Sequence, residues 1–176
     1  MNYASILRCD VANGTGFRVS LFVSGCARGC PGCFNREAQD PSFGKKFDKD
    51  AERKIFIELE SPHCAGLSLL GGEPMSKLSD NRKVVIGLCR DVKEKFPEKT
   101  IWVWSGYTFE ELLSDGSSNG IFETIDVLVD GPFVESLKDV DLVWKGSSNQ
   151  RVIDVRKYRE TGKVELLEQS VSPVAE

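Results

Sequence analysis

The chain has 176 residues, enough for one domain with a proper core. Hydrophobic residues make up 40% and charged residues 28%, an ordinary globular balance. The net charge of −4, the lack of an apolar leader and the lack of a run of about 18 apolar residues set aside nucleic-acid binding, secretion and membrane spanning; a cytoplasmic protein is expected.

In chain order, residues 1–16 read as an irregular start that ends in the turn Asn13-Gly14-Thr15-Gly16. The apolar run Val19-Ser20-Leu21-Phe22-Val23 predicts a buried strand from about Arg18 to Ser24. Directly after it, Cys26, Cys30 and Cys33 follow on a Gly- and Pro-rich loop at the spacing Cys-x3-Cys-x2-Cys. Residues 36–47 carry Pro41 and Gly44 with little periodicity and read as a surface loop, and the basic cluster Lys45, Lys46, Lys49, Arg53, Lys54 reads as a solvated face. Asp48 is placed to cap a helix running to about Glu60, with Ile55 and Leu59 on its buried side. A second strand spans Gly66 to Leu70 and ends in Gly71-Gly72-Glu73-Pro74. Ser79 or Asp80 then starts the clearest helix, where Val85, Leu88, Val92 and Phe96 recur at helical steps until Pro97 stops it.

The third strand, Thr100 to Ser105, ends at Gly106, and Thr108 with Glu111 forms a capping box for a short helix through Leu113. Asp115 to Gly120 is a loop by composition. Ile125 to Val129 is a fourth strand closed by Asp130-Gly131-Pro132, and Arg151 to Val155 is a candidate fifth. One domain over residues 1–155 is expected, then a tail over 156–176 that is partly disordered towards Ser170–Glu176. Strands alternating with helices imply βα units and a mainly parallel sheet. In right-handed units the Gly-bearing strand ends all fall on one edge, beside the cysteine loop. The expected class is α/β, with a partial, open TIM-like barrel.

Six cysteines without an export signal point to a reduced compartment. Cys64 and Cys89 read as buried small hydrophobes, His63 as exposed, and Trp102 with Trp104 as one apolar strand face. The clustered three have metal-ligand character. Structural zinc wants four ligands in two separated pairs, and no second pair exists here. An iron–sulfur cluster can take its cysteines from one loop, and three leave one iron open to a substrate. The spacing therefore favours such a cluster over zinc, with a Cys30/Cys33 redox pair third.

Further pieces sharpen this. Asn13-Gly14-Thr15-Gly16-x-Arg18, Leu21-Phe22-Val23-Ser24-Gly25-Cys26, Cys30-Pro31-Gly32-Cys33-Phe34-Asn35, Leu70-Gly71-Gly72-Glu73-Pro74, Ile101-Trp102-Val103-Trp104-Ser105-Gly106-Tyr107, Val127-Leu128-Val129-Asp130-Gly131-x-Phe133 and Trp144-Lys145-Gly146-Ser147-Ser148-Asn149-Gln150 occur in this order. The series resembles the anaerobic ribonucleoside-triphosphate reductase-activating proteins, glycyl-radical activases of the radical S-adenosylmethionine superfamily, over roughly residues 7–155. The resemblance implies a radical-SAM type of open barrel. It implies a [4Fe-4S] cluster on Cys26, Cys30 and Cys33, with S-adenosylmethionine chelated to the open iron. Gly71, Gly72, Glu73 and Pro74 would face its methionine part, with Gly32 and Phe34 in the same pocket; Ser105 and Asn149 would touch ribose or carboxylate, and Asp130 is a further candidate. The implied partners are the large catalytic subunit of the anaerobic ribonucleotide reductase, whose glycine becomes a radical, and a flavodoxin-like electron donor. An activase of a formate-lyase type of enzyme and a non-catalytic zinc module are the alternatives. Gly32 stands where the wider superfamily has an aromatic residue, Phe34 where this family often has Tyr, and Thr15 where it often has Pro.

Overall fold

The computed structural model describes residues 1–77 and 80–168. Its strands are β1 (Asn2–Asp10), β2 (Phe17–Val23), β3 (Lys45–Lys46), β4 (Cys64–Gly71), β5 (Thr100–Trp104), β6 (Val127–Asp130) and β7 (Arg151–Asp154). Its helices are α1 (Lys49–Leu59), α2 (Asn81–Lys95), α3 (Phe109–Ser114), the single turn α4 (Asn119–Phe122) and α5 (Val155–Thr161). The seven strands form one open sheet in the order β3-β1-β2-β4-β5-β6-β7.

The expected mainly parallel sheet is a mixed one. The central run β2-β4-β5-β6 is parallel, while β1 on β2, β3 on β1 and β7 on β6 are antiparallel. Only the central strands are linked by helices that can carry the chain back across the sheet; β1 reaches β2 by a short turn, which permits only an antiparallel partner.

Alternation along the strands sends one row of side chains to the helices and the other to the opposite face. Val19, Leu21, Val23, Leu67, Leu69, Ile101, Val103, Leu128 and Ile153 meet Ile55 and Leu59 of α1 and Val85, Leu88 and Val92 of α2 in one buried cluster. Each such side chain contributes about 1.5–3 kcal/mol by leaving water. The other face is smaller: Trp102, Val127, Val129 and Val152 form its core, with Trp104, Trp144 and Leu167 packed against them. Arg18 lies on this face, 1% exposed and 5.5 Å from the Trp102 ring. Its guanidinium donates to Ser68 Oγ and to the carbonyls of Leu67 and Thr100, so the buried charge is satisfied without a carboxylate.

Helix ends follow the sequence. Asp48 accepts from the backbone N–H groups of Asp50 and Ala51, and Thr108 with Glu111 forms the expected capping box. The expected start of α2 at Ser79 lies outside the described residues, as does the stretch Ser170–Glu176. Three segments depart from expectation. The irregular start is the nine-residue β1, the 36–47 loop holds a 3-10 turn and β3, and 116–122 contains a 3-10 turn and α4. The chain beyond 155 also continues into α5, after which Leu167 N–H returns to Val152 O at 2.8 Å. No helix among the described residues is long and apolar enough to cross a membrane.

Candidate functional site

The C-terminal ends of β2, β4, β5 and β6 bring four short motifs to one edge of the sheet. After β2 the chain turns at Gly25, in the positive-φ region at 98°, and Gly25 N–H donates to Ala38 O at 2.8 Å. After β4, Gly72 N–H donates to Val23 O at 2.7 Å and Glu73 N–H to Gly25 O at 3.0 Å, which stitches this turn to the root of the cysteine loop. A Cβ on Gly72 would sit 2.7 Å from Ala38 O, so the close approach requires glycine. Asn81, at the start of α2, ties the same junction by donating from Nδ2 to Ser24 O and Glu73 O.

Between these motifs lies a pocket of about 550 Å³ whose wall includes Cys26, Cys30 and Cys33. Gly32, Phe34, Gly71, Gly72, Glu73 and Ser105, expected around a cofactor, also line it. Pro74, Asp130 and Asn149 do not. Pro74 is buried beneath the turn. Asp130 accepts from Phe109 N–H and from Arg151, and so braces α3 and β7. Asn149 donates to Pro132 O at 2.8 Å.

Glu73 is 1% exposed, and its carboxylate accepts from Met75 N–H at 2.9 Å, Ser105 Oγ at 2.8 Å and Gly106 N–H at 2.7 Å. It is a bracket holding the β4 and β5 ends together at the pocket floor. Burial pushes this carboxyl up from its ordinary value, while the three donors and Arg28 pull it down.

Arg28, Trp104, Phe133 and Gln150 line the pocket as well and escaped the sequence reading. Arg28 lies over the Tyr107 ring at 4.8 Å. Trp104 is stacked on Trp102 at 5.7 Å and donates from Nε1 to Trp144 O. The last wall is a hairpin between Lys138 and Ser147, which pair across its base. Gln150 holds it by accepting from Gly146 and Ser147 N–H and donating to Gly131 O. Glu135, at the foot of the hairpin, lies where a Gly32 side chain would project: a Cβ there would fall 2.5 Å from Glu135 Oε1. The space a side chain at position 32 would take is thus occupied by a side chain from another element.

All six cysteines are free thiols. Burial pushes the Cys26 thiol up from its ordinary value. No three His, Cys, Asp or Glu side chains among the described residues are gathered closely enough to hold one metal ion. A cluster in which each thiolate takes its own iron asks instead for thiols spread along one wall, and three thiols on this pocket fit that donor set.

A family model described as a 4Fe-4S single cluster domain matches residues 12–153. The chain is 40% identical over 158 residues to the anaerobic ribonucleoside-triphosphate reductase-activating protein of Salmonella typhimurium, covering 89% of this chain and 100% of that protein. The proteins of the same name from Vibrio cholerae and from Enterobacteria phage T4 are 43% and 38% identical, covering 85% and 86% of this chain and 96% and 93% of theirs.

Proposed function

The chain belongs to the family of anaerobic ribonucleoside-triphosphate reductase-activating proteins, and from that premise we propose that it is a radical S-adenosylmethionine enzyme that installs a glycyl radical in the large subunit of an anaerobic ribonucleotide reductase. The observation that supports this most is one pocket lined both by Cys26, Cys30 and Cys33 and by the Gly71-Gly72-Glu73 turn. Held by Cys26, Cys30 and Cys33 and by the Gly71-Gly72-Glu73 turn, a [4Fe-4S] cluster and S-adenosylmethionine would supply the one-electron reductive chemistry needed to take a hydrogen atom from a glycine Cα.

The residues divide that task. Cys26, Cys30 and Cys33 would be the cluster's protein ligands. The Gly71-Gly72 backbone admits the methionine part at close range because neither residue carries a Cβ. Glu73 fixes that turn against Ser105 and Gly106, so the pocket floor keeps its shape as the ligand binds. Gly32 and Phe34 complete the wall beside the cysteines. The hairpin and Phe133 form a further part of the pocket wall, bounding the space beside the cysteines. We assign the electron to a flavodoxin-like donor and the protein to the cytoplasm, where its free thiols persist. The open sheet, with its central parallel run, is read as a partial barrel of the radical S-adenosylmethionine type.

The test is anaerobic reconstitution with iron and sulfide, then reduction and EPR with and without S-adenosylmethionine. Wild-type protein is expected to show a cluster signal that S-adenosylmethionine perturbs. Cys30→Ser is expected to abolish S-adenosylmethionine cleavage and Cys89→Ser to keep it. Colourless protein with stoichiometric zinc, or equal loss in both variants, would overturn the reading.

A further inference from the structure

Phe34 and Val140 are the most exposed large apolar side chains among the described residues, at 99% and 84%. Both line the thiol pocket, Phe34 from the loop directly after Cys33 and Val140 from the hairpin between Lys138 and Ser147. Leu137, just before the hairpin, and Val143, within it, are also exposed, at 42% and 41%. Large apolar groups held in water at the mouth of a reacting pocket mark a docking surface.

The hairpin is not a loose loop. Trp144, at a φ of 62°, turns its carbonyl to Trp104 Nε1, and Ser148 N–H donates to Leu137 O at 2.9 Å. Lys145 Nζ reaches Gln150 O, whose side chain holds Gly146 and Ser147. These bonds fix the backbone from behind and present Val140 outward.

We propose that Phe34 and Val140 form apolar jaws that seat an extended, glycine-bearing segment of the reductase large subunit over the thiol pocket. The proposal rests on the function proposed above. The hydrogen donor of that reaction is a backbone carbon of another polypeptide, which has to cross this rim to reach the pocket. The hairpin carries Lys138, Asp139, Asp141 and Lys145, two charges of each sign, so the rim selects apolar, backbone-rich chain rather than an acidic or basic one.

The test titrates the purified large subunit against the reconstituted activase, reading binding by labelled-protein titration and glycyl radical by EPR. Val140→Asp is expected to raise the dissociation constant and the half-saturating concentration at least tenfold. Radical yield at saturation, cluster absorption and partner-free S-adenosylmethionine cleavage should stay within twofold. Val140→Ile should behave as wild type, Phe34→Ala should weaken binding comparably, and Val164→Asp, at an exposed valine outside the pocket lining, should change nothing. An unchanged dissociation constant in Val140→Asp, or lost yield at saturation with unchanged binding, overturns the docking role. Dissociation of an activase oligomer by Val140→Asp would assign the surface to a second copy of this chain and also overturn it. Wild-type activase that makes no glycyl radical at any concentration defeats the proposed function and this surface together; wild-type activity with an indifferent Val140→Asp defeats the surface alone.

Discussion

Cys89 and the loop cysteines carry one chemistry into opposite settings. Cys89 is fully buried in α2, and burial pushes its thiol up to about 12 from an ordinary value of 9.0. The unfolded thiol ionises above pH 9 while the folded one stays protonated, so this group's stabilisation is present below pH 9 and lost as pH rises towards 12. Between those limits the loss is up to about 1.4 kcal/mol per pH unit. Cys89→Ala is expected to be less stable than wild type by about 1 kcal/mol at pH 7, and because it lacks the titrating thiol that gap should close above pH 9 and reverse by about pH 11. Urea denaturation of both proteins from pH 7 to 11 checks this, and parallel curves would refute the assignment. The same scale shows what a linear reading can find at the site. Cys26, Cys30, Cys33, Gly71, Gly72 and Glu73 stand out because their spacing is local. Trp104 and Gln150 carry no local signal, since they reach the pocket only once strands distant in sequence are paired, while Arg28 stands between Cys26 and Cys30 but belongs to no spacing pattern of its own. Asp130 had the look of a site carboxylate at a strand end, but its partners Arg151 and Phe109 are 21 residues away on either side, and they turn it into a brace.

Between elements, the cysteine loop meets the foot of the hairpin where Gly32 faces Glu135. Gly32 has a φ of 67°, where an L side chain is strained by about 1–2 kcal/mol. A Cβ there also displaces the Glu135 carboxylate, whose flexible side chain can swing aside at little expense. Gly32→Ala should thus lose about 1–2 kcal/mol in denaturant unfolding with an unchanged m-value, almost all of it from the backbone. Glu135→Ala should lose much less, and equal losses would mean the contact itself carries the stability. Elements were legible where a single pattern governed them. Asp48 and Thr108 announced their helices, and Val85, Leu88 and Val92 fixed the inward stripe of α2. β1 was missed because its register is shifted between Tyr3 and Ser5 and again between Leu7 and Asp10, and its second half is exposed. Period-two alternation does not survive such bulges. The 119–122 turn was hidden behind a Gly- and Ser-rich composition that only tertiary packing overrides.

At the scale of the molecule, the sheet is well pinned while the cysteine loop is not. The central strands are bonded on both sides and buried on both faces, which places them at the high end of local stability. The loop is held at its root by Gly25 and Cys26, whose N–H groups reach Ala38 O and Gln39 O. From 27 to 36 it has no regular secondary structure, and within it Cys33 N–H reaches Cys30 O at 3.2 Å. Ligation by three thiolates would cross-link that segment internally, and because the ligand set exists only in the folded chain, binding stabilises the folded state. Hydrogen exchange of the metal-free protein should therefore be fast over 27–36 and slow in β2, β4 and β5. Anaerobic reconstitution should protect 27–36 at least tenfold, with little change in the central strands, and should raise the melting temperature. Cys30→Ser should show less of this protection than wild type after the same treatment, and Cys89→Ser the full amount. Protection confined to segments away from the three cysteines, in protein that carries iron and sulfide, would move the cluster elsewhere and defeat the assignment at every scale.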